Sequence, residues 1–432
     1  MGKKILLITL DGIGDRPARV LGDKTPLEVA DTPNLNALAA QGINGVMTTI
    51  APGVPSPSDV AHYLIFGYPL ERRPGRSVFE ATGYGVAIAE DEVICSTSLA
   101  LAELRDGIIE IVTRRDMGLS PEEGRALVET VPHYREAGIE LELIYTAKWF
   151  GILKMRGEVS HQITDSDPFY DDLPVLAVQP MVGAPEAAER TAHVLNNYLR
   201  WTYRVLSQHE VNRARPKGTI ILTKWPAKKV ELPRFQEKYN LNGLSISPKP
   251  VINGLARYLG IDTKFSDLET ADREYAYGIE QLNAYDFVHI HDLRPDVIAH
   301  KKDPVKKVET IEKIDRDLKV LTDRLPDPSL VVAITADHST LSTEGTVKAM
   351  HAGEPVPIVV VAEGVRTDAV SRFSERDGVN GGLGHIRAME LMNILMNYTN
   401  RLGNYGFRPR RFETDQASYR PTDVKPLTLP PD

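Results

Sequence analysis

The run Leu330-Val331-Val332-Ala333-Ile334-Thr335, which leads straight into Ala336-Asp337-His338-Ser339-Thr340, constrains the fold more than any other stretch. Five of its first six residues are apolar, with two valines and one isoleucine, which predicts a strand buried on both faces. In open α/β sheets ligands sit beyond the carboxyl ends of the strands. Here a carboxylate and an imidazole stand side by side at that end. They offer one oxygen and one nitrogen ligand, a pairing that suits zinc or manganese better than calcium. Taken alone, Asp337 serves equally well to begin a turn that His338 caps. The rest of the chain has to decide.

At 432 residues the chain is long enough for two or three domains and a large core. A net charge of −8 and an isoelectric point near 5.8 argue against non-specific nucleic-acid binding. The single cysteine, Cys95, excludes an intramolecular disulfide framework and fits a reducing compartment. Met1-Gly2-Lys3-Lys4 and the short apolar run behind it lack the features of a signal peptide, and the run is too short to span a membrane. The expectation is a cytoplasmic protein with neither nucleic-acid nor membrane partners.

Lys4 to Leu10 predicts a first strand, ending in Asp11 with Gly12 and Gly14 behind it. Thr32 as N-cap and Pro33 at the first position open a helix. The segment Ala51-Pro52-Gly53-Val54-Pro55-Ser56-Pro57 delivers Ser58 to the start of a short helix through Phe66. From residue 73 to 215 the character changes. Short β-branched runs such as Ile108 to Val112, entered through Asp106-Gly107, predict an inserted α+β domain, with a long helix from Pro185 to Leu206. The strand-then-helix rhythm resumes at Thr219-Ile220-Ile221-Leu222. Strands follow at Asp286 to Ile290 and Val356 to Val361. A helix from Pro304 to Leu325 turns Val308, Ile311, Ile314, Leu318 and Leu321 inward. The expected division is residues 1–72 with 216–432 as one discontinuous α/β domain and 73–215 as the insertion. The last twenty-five or so residues are expected to wrap the surface.

Polar groups gather at the predicted strand ends. Asp11 follows the first strand. Asp296 and His300, four residues apart, share one face of a helical turn. Asp337 and His338 follow the next strand, and His351 stands at the entry to the last. Three aspartates and three histidines at one sheet edge make an inventory for two divalent metals with positions left open for substrate. Ser58, at a helix N-terminus that favours an anion, supplies a hydroxyl that a metal could activate as a nucleophile. Ser56 fits that spacing as well.

These residues carry a resemblance. L-I-T-L-D-G-I-G-D, T-P-N-L-N-A-L-A, P-S-D-V-A-H-Y-L-I-F-G-Y, P-D-V-I-A-H, T-A-D-H-S-T, H-A-G-E-P-V-P-I and G-G-L-G-H-I together resemble the archaeal-type, cofactor-independent phosphoglycerate mutases of the alkaline phosphatase superfamily. The resemblance implies an alkaline-phosphatase-like sheet sandwiched by helices, an inserted α+β domain, and an active site in the cleft between them. It implies one metal on Asp11, Ser58, Asp337 and His338 and another on Asp296, His300 and His351. The metals would be Mn²⁺ or Zn²⁺, with no organic cofactor and Ser58 as the phosphorylated nucleophile. Asp59 and His62 would orient that serine or the leaving group, and Arg76, Arg114, Arg115 and Lys224 would hold the anions of a small phosphorylated substrate.

The substrate side departs from the family pattern. Ser77-Val78 stand where the family has Gly-Pro, Trp149-Phe150 where it has His-Arg, and Ser96 where it has arginine. Lys224-Trp225-Pro226-Ala227 replace an R-G-x-G loop, and Asn253 replaces a lysine, with Lys249 nearby. Phosphoglycerate carries a phosphate and a carboxylate, so a site for it needs several fixed cations. Thinning them predicts hydrolysis of a small phosphorylated metabolite through phospho-Ser58, with phosphoglycerate mutase activity as the alternative. A phosphodiesterase or phosphonate-cleaving enzyme, or a non-catalytic binding homologue, are further alternatives. Trp149, Phe150 and Trp225 either stack on a ring of the substrate or fill core.

Overall fold

The computed structural model describes residues 2–114, 117–213, 218–267, 271–343, 351–402 and 427–429. Arg115 and nearly all of the expected C-terminal wrap lie outside the described residues. In chain order the strands are β1 (Lys4–Leu10) and β2 (Ile43–Thr48); then β3 (Val93–Arg105), β4 (Ile108–Thr113), β5 (His133–Glu136), β6 (Ile139–Ala147), β7 (Phe150–Arg156) and β8 (Gly218–Ala227). They continue with β9 (Gly243–Ser247), β10 (Asp262–Phe265), β11 (Phe287–Asp292), β12 (Leu330–Thr335), β13 (Val356–Ala362) and β14 (Gly384–Arg387).

The chain divides into two compact units, residues 1–73 with 232–432 and residues 74–231. This corrects the expected second junction at 215/216. The run Thr219 to Leu222 does not resume the α/β rhythm; it lies in β8, which pairs antiparallel with β3 inside the second unit. Its residues are buried whichever sheet receives them, so hydrophobicity alone could not assign the partner.

The first unit holds an eight-stranded sheet in the order β10-β9-β11-β1-β12-β13-β2-β14. Its pairs are parallel except at β13, which runs against both β12 and β2. Ile5, Leu6, Leu7, Ile8 and Leu10 of β1 are all inaccessible to solvent, as are Val331, Ala333 and Ile334 of β12, which requires cover on both faces. Helices Pro33–Gln41, Ala271–Gln281 and Pro304–Asp317 pack together as one group, and Ser58–Ile65 with Pro250–Tyr258 as another.

Two local outcomes differ from expectation. Thr32 occupies the N-cap position of Pro33–Gln41, but its side chain makes no capping bond. Asp315 on a neighbouring helix accepts from Asn34 N (3.2 Å) and Leu35 N (2.7 Å) instead, so a tertiary contact satisfies the helix's open donors. On Pro304–Asp317, Ile311 and Ile314 are buried as expected, while Val308 is half-buried and Lys307 is fully buried beside it. The Lys307 ammonium donates to Asp15 Oδ2 (2.9 Å), Gly14 O (3.0 Å) and Thr340 O (2.8 Å). A buried cation is tolerated only with such a full set of acceptors.

The second unit is the expected α+β insertion: an antiparallel sheet in the order β4-β3-β7-β6-β5, with β8 also on β3. Asp106 (φ 49°) and Gly107 (φ 82°) both take the left-handed conformation that a tight β3–β4 hairpin requires. The long helix runs over Glu186–Ser207 and buries Leu195, Leu199, Thr202 and Leu206. Trp149 packs against this core, whereas Phe150 is partly exposed. No helix among the described residues is long and apolar enough to cross a membrane.

Candidate metal centre

The sheet of the first unit explains why seven separated residues meet. Asp11 follows β1, and Asp337 and His338 follow β12. Asp296 and His300 lie on and just after the helix Arg294–Ala299 that follows β11. Ser58 begins the helix Ser58–Ile65 after the proline-rich loop that leaves β2; Pro57 takes the N-cap position, so the serine hydroxyl is not spent on capping. His351 precedes its strand rather than following it. Because β13 runs opposite to its neighbours, its start lies at the edge where they end.

At that edge His338 Nε2 lies 3.3 Å from Asp11 Oδ1, 3.2 Å from Asp337 Oδ2 and 3.2 Å from Ser58 Oγ. Asp296 Oδ1 lies 3.3 Å from His300 Nε2 and 3.8 Å from His351 Nε2, and the rings of His338 and His351 stack at 3.7 Å. Asp11, Asp337 and His338 form one set of potential ligand atoms, and Asp296, His338 and His351 another, each within 4.8 Å of one another.

Hydrogen-bond directions show which atoms remain for a metal. His351 Nδ1 must donate to Ser56 O (2.8 Å), since a carbonyl only accepts, which leaves the Nε2 lone pair toward Asp296. Thr340 Oγ1 has one hydrogen and spends it on the Asp296 carboxylate (2.8 Å). The contact of Thr340 Oγ1 with His338 Nδ1 (3.1 Å) is therefore a donation from the imidazole, and His338 Nε2 is again the free atom. Asp11 Oδ2 accepts from His291 Nε2 (2.8 Å) and Lys249 Nζ (2.8 Å), whereas Asp11 Oδ1 is buried without a hydrogen-bond partner. Asp337 Oδ1 accepts from Gly12 N (3.2 Å) and His338 N (3.0 Å), while its Oδ2 is likewise an orphan. Buried orphan oxygens are costly. Two of them converging on a free imidazole nitrogen fit a divalent cation.

The electrostatics agree. Burial pushes His338 and His351 down to about 4, so both rings are neutral and ready to ligate near pH 7. Burial and the neighbouring Asp11 charge hold Asp337 well above the usual carboxylate range. Burial opposes ionisation of Asp11 too, but Lys249, His291 and His338 outweigh it and keep that group well below the ordinary value. The opposite shifts of these two buried carboxylates mark a cluster with more negative charge than its own cations balance.

Of the residues expected to assist Ser58, His62 is fully buried and its Nδ1 donates to Ser58 O (2.7 Å), bracing the turn that carries the nucleophile. Asp59 is also buried, and its carboxylate accepts from Arg73. Three site residues were missed. Lys249, the N-cap of the helix Pro250–Tyr258, donates to Ser58 Oγ (3.0 Å) and lies 3.6 Å from Asp296 Oδ2. His291 and Thr340 stood within quoted or neighbouring stretches, but nothing in their spacing marked them.

In the second unit three of the expected anion-binding residues come together. Arg114 donates to Asp167 Oδ2 (2.7 Å) and Phe169 O (2.6 Å), and Lys224 Nζ lies 3.4 Å from the same Asp167 oxygen. The Arg76 guanidinium rests on the Trp225 ring at 4.7 Å and donates to Glu80 Oε1 (2.8 Å). Glu80 Oε2 accepts from Ser96 Oγ (2.5 Å). Phe169 (φ 65°) and Trp225 (φ 57°) sit in the left-handed region, which is strained for bulky residues. Asp167 Oδ1 holds the first through its N–H (2.8 Å) and Asp165 Oδ1 the second (2.6 Å).

A family model described as Metalloenzyme superfamily matches residues 3–398. The 2,3-bisphosphoglycerate-independent phosphoglycerate mutase 2 of Methanocaldococcus jannaschii is 38% identical over 421 residues, covering 94% of this chain and 95% of that protein. The 2,3-bisphosphoglycerate-independent phosphoglycerate mutase of Pyrococcus abyssi is 33% identical, covering 94% of this chain and 100% of its own length. Among solved structures, the cofactor-independent phosphoglycerate mutase from Thermoplasma acidophilum aligns with a TM-score of 0.66 at 30% identity, over 92% of this chain and 100% of that one. A protein from Pyrococcus horikoshii aligns with a TM-score of 0.76 at 29% identity, over 94% and 100%. The chain therefore belongs to the metalloenzyme superfamily and, within it, to the archaeal-type 2,3-bisphosphoglycerate-independent phosphoglycerate mutase family.

Proposed function

We propose that the protein interconverts 3-phosphoglycerate and 2-phosphoglycerate through a phosphorylated Ser58. The observation that carries this reading is the serine's setting: its hydroxyl lies between Lys249 Nζ (3.0 Å) and the free Nε2 of His338 (3.2 Å), beside two orphan carboxylate oxygens. Relatives named as mutases along nearly the full chain favour isomerisation over the hydrolysis that the substrate-side residues put first. We assign Asp11, Ser58, Asp337 and His338 to one divalent cation and Asp296, His300 and His351 to the other. When bound, such cations lower the pKa of a coordinated hydroxyl and neutralise charge on a transferring phosphoryl group.

The chain's own groups do the rest. His62 holds the Ser58 carbonyl and so the direction of Oγ. The Lys249 ammonium stabilises the developing alkoxide and attracts phosphoryl oxygens. Ser58 Oγ gives up its proton and forms a bond to phosphorus as the bond from phosphorus to the substrate oxygen breaks, and that oxygen takes up a proton as it leaves. The glycerate then presents its other hydroxyl, and the reverse displacement frees the serine. Arg76, Arg114 and Lys224 are assigned to the substrate's anionic groups.

A coupled assay for 2-phosphoglycerate tests the reading. The protein loaded with Mn²⁺ or Zn²⁺ is expected to turn over at roughly 10 s⁻¹ or more. Stripping the metal with a chelator should abolish the signal, and adding either ion back should restore it. Release of inorganic phosphate from 3-phosphoglycerate without 2-phosphoglycerate would overturn it in favour of hydrolysis. That second reading draws on the cations lacking at Ser96, Trp149 and Phe150, since a site that lets glycerate escape is a phosphatase. Arg114→Ala is expected to raise KM for 3-phosphoglycerate by roughly 10- to 100-fold, the worth of one or two charge-assisted hydrogen bonds, with a smaller change in kcat. An unchanged KM in steady-state assays would remove Arg114 from the substrate site.

A further inference from the structure

Thr340 lies in the motif T-A-D-H-S-T, yet it contributes no proposed ligand. It is completely buried and fixed at every polar atom. Its N–H donates to Gly14 O (3.0 Å), its carbonyl accepts from Lys307 Nζ (2.8 Å), and its hydroxyl sits between Asp296 Oδ1 (2.8 Å) and His338 Nδ1 (3.1 Å). Asp296 and His338 are assigned to different metals. Space for the contact is kept open by Gly12 (φ 64°), where an added Cβ would lie 2.4 Å from Thr340 Oγ1 and 3.0 Å from Asp296 Oδ1.

From this geometry we infer that Thr340 is a positioning residue shared by the two metal sites, one hydroxyl holding a ligand of each. The direction of its bonds gives the reason. Its hydrogen goes to Asp296 Oδ1, the same oxygen that faces His300 Nε2 and His351 Nε2, and so fixes how that carboxylate is turned toward them. Its lone pair takes the Nδ1 hydrogen of His338, which selects the tautomer whose Nε2 points at Asp11, Asp337 and Ser58. Groups that orient a ligand are each worth roughly 10- to 100-fold in metal affinity. Here both sites depend on the same oxygen. Valine matches threonine in shape but offers neither the hydrogen nor the lone pair, while serine keeps both.

The inference rests on the proposed ligand sets, and the test separates the two. Full-length protein freed of metal with a chelator is titrated with Mn²⁺ by calorimetry. Wild type is expected to bind two equivalents. In Thr340→Val both steps should weaken, each by roughly 10-fold or more, while Thr340→Ser stays within about threefold of wild type. Wild-type binding of two equivalents with both steps unchanged in Thr340→Val, or with only one step weakened, overturns the shared role. Fewer than two equivalents in wild type overturns the ligand sets and the inference together. Should the valine variant fail to fold, ¹⁵N-labelled histidine in metal-free wild type reads the same point. His338, assigned by its loss in His338→Gln, should carry its proton on Nδ1, and a proton on Nε2 overturns the inference.

Discussion

Ser58→Ala is expected to lower kcat for the interconversion of phosphoglycerates by on the order of 10⁶-fold, the scale seen when a covalent nucleophile is deleted. The substitution removes the only atom proposed to bond to phosphorus. It should leave the fold intact, because Ser58 is the first residue of its helix rather than the cap, and alanine has the higher helix propensity. Lys249 keeps its bond to Asp11 when the hydroxyl is gone. Incubation of wild type with 3-phosphoglycerate, an acid quench and mass spectrometry should locate phosphate on the peptide containing Ser58. The same peptide from the variant should stay unmodified. More than a tenth of wild-type activity in the variant would sink the assignment of the nucleophile, whichever of isomerisation or hydrolysis the enzyme performs.

Lys307→Met should cost roughly 3–5 kcal/mol of stability, the cost of removing one partner from a buried ion pair. Methionine fills most of the volume, so the loss is chiefly electrostatic. Asp15 Oδ2 would keep Ser342 N (3.1 Å) but lose the ammonium, and the carbonyls of Gly14 and Thr340 would lose their donor. The Asp11 loop and the Asp337 loop are both tied to that ammonium, so metal affinity should fall along with the melting temperature. Adding Asp15→Asn to Lys307→Met removes the abandoned charge and should recover part of the lost stability in thermal denaturation. A melting temperature unmoved by Lys307→Met would show that the buried pair contributes nothing net.

How much of this was legible in the sequence depends on whether a feature is local. The strand ending in Asp337-His338 could be read because a doubly buried strand has a distinct composition and its carboxyl end has a chemical meaning. The four-residue spacing of Asp296 and His300 could be read because helix geometry puts them on one face. The sheet that β8 joins could not, since pairing partners are chosen by the whole fold and an apolar run satisfies several sheets equally. Lys307 escaped for a related reason: a lysine next to an apolar stripe is normally at the surface, and only Asp15, Gly14 and Thr340, brought from distant loops, make its burial tolerable. Lys249 escaped because its role is set by the loop that turns into the helix Pro250–Tyr258 and not by any periodicity. Ser96 was visible as a letter, but only the fold shows its hydroxyl donating to Glu80, which also holds Arg76.

The reversed direction of β13 bears on the order in which the protein is made. Ser58 and His338 are separated by 280 positions, and so are Asp11 and His291. During synthesis the nucleophile and the first carboxylate emerge early, and the whole second unit, residues 74–231, can complete its own sheet before either finds a partner. His351, the last of the proposed ligands along the chain, joins the others only when β13 takes its place between β12 and β2. A chain stalled short of that insertion would carry the proposed nucleophile but not the full proposed ligand set. On the proposed ligand sets, full metal capture would therefore require β13 to be in place beside β12 and β2.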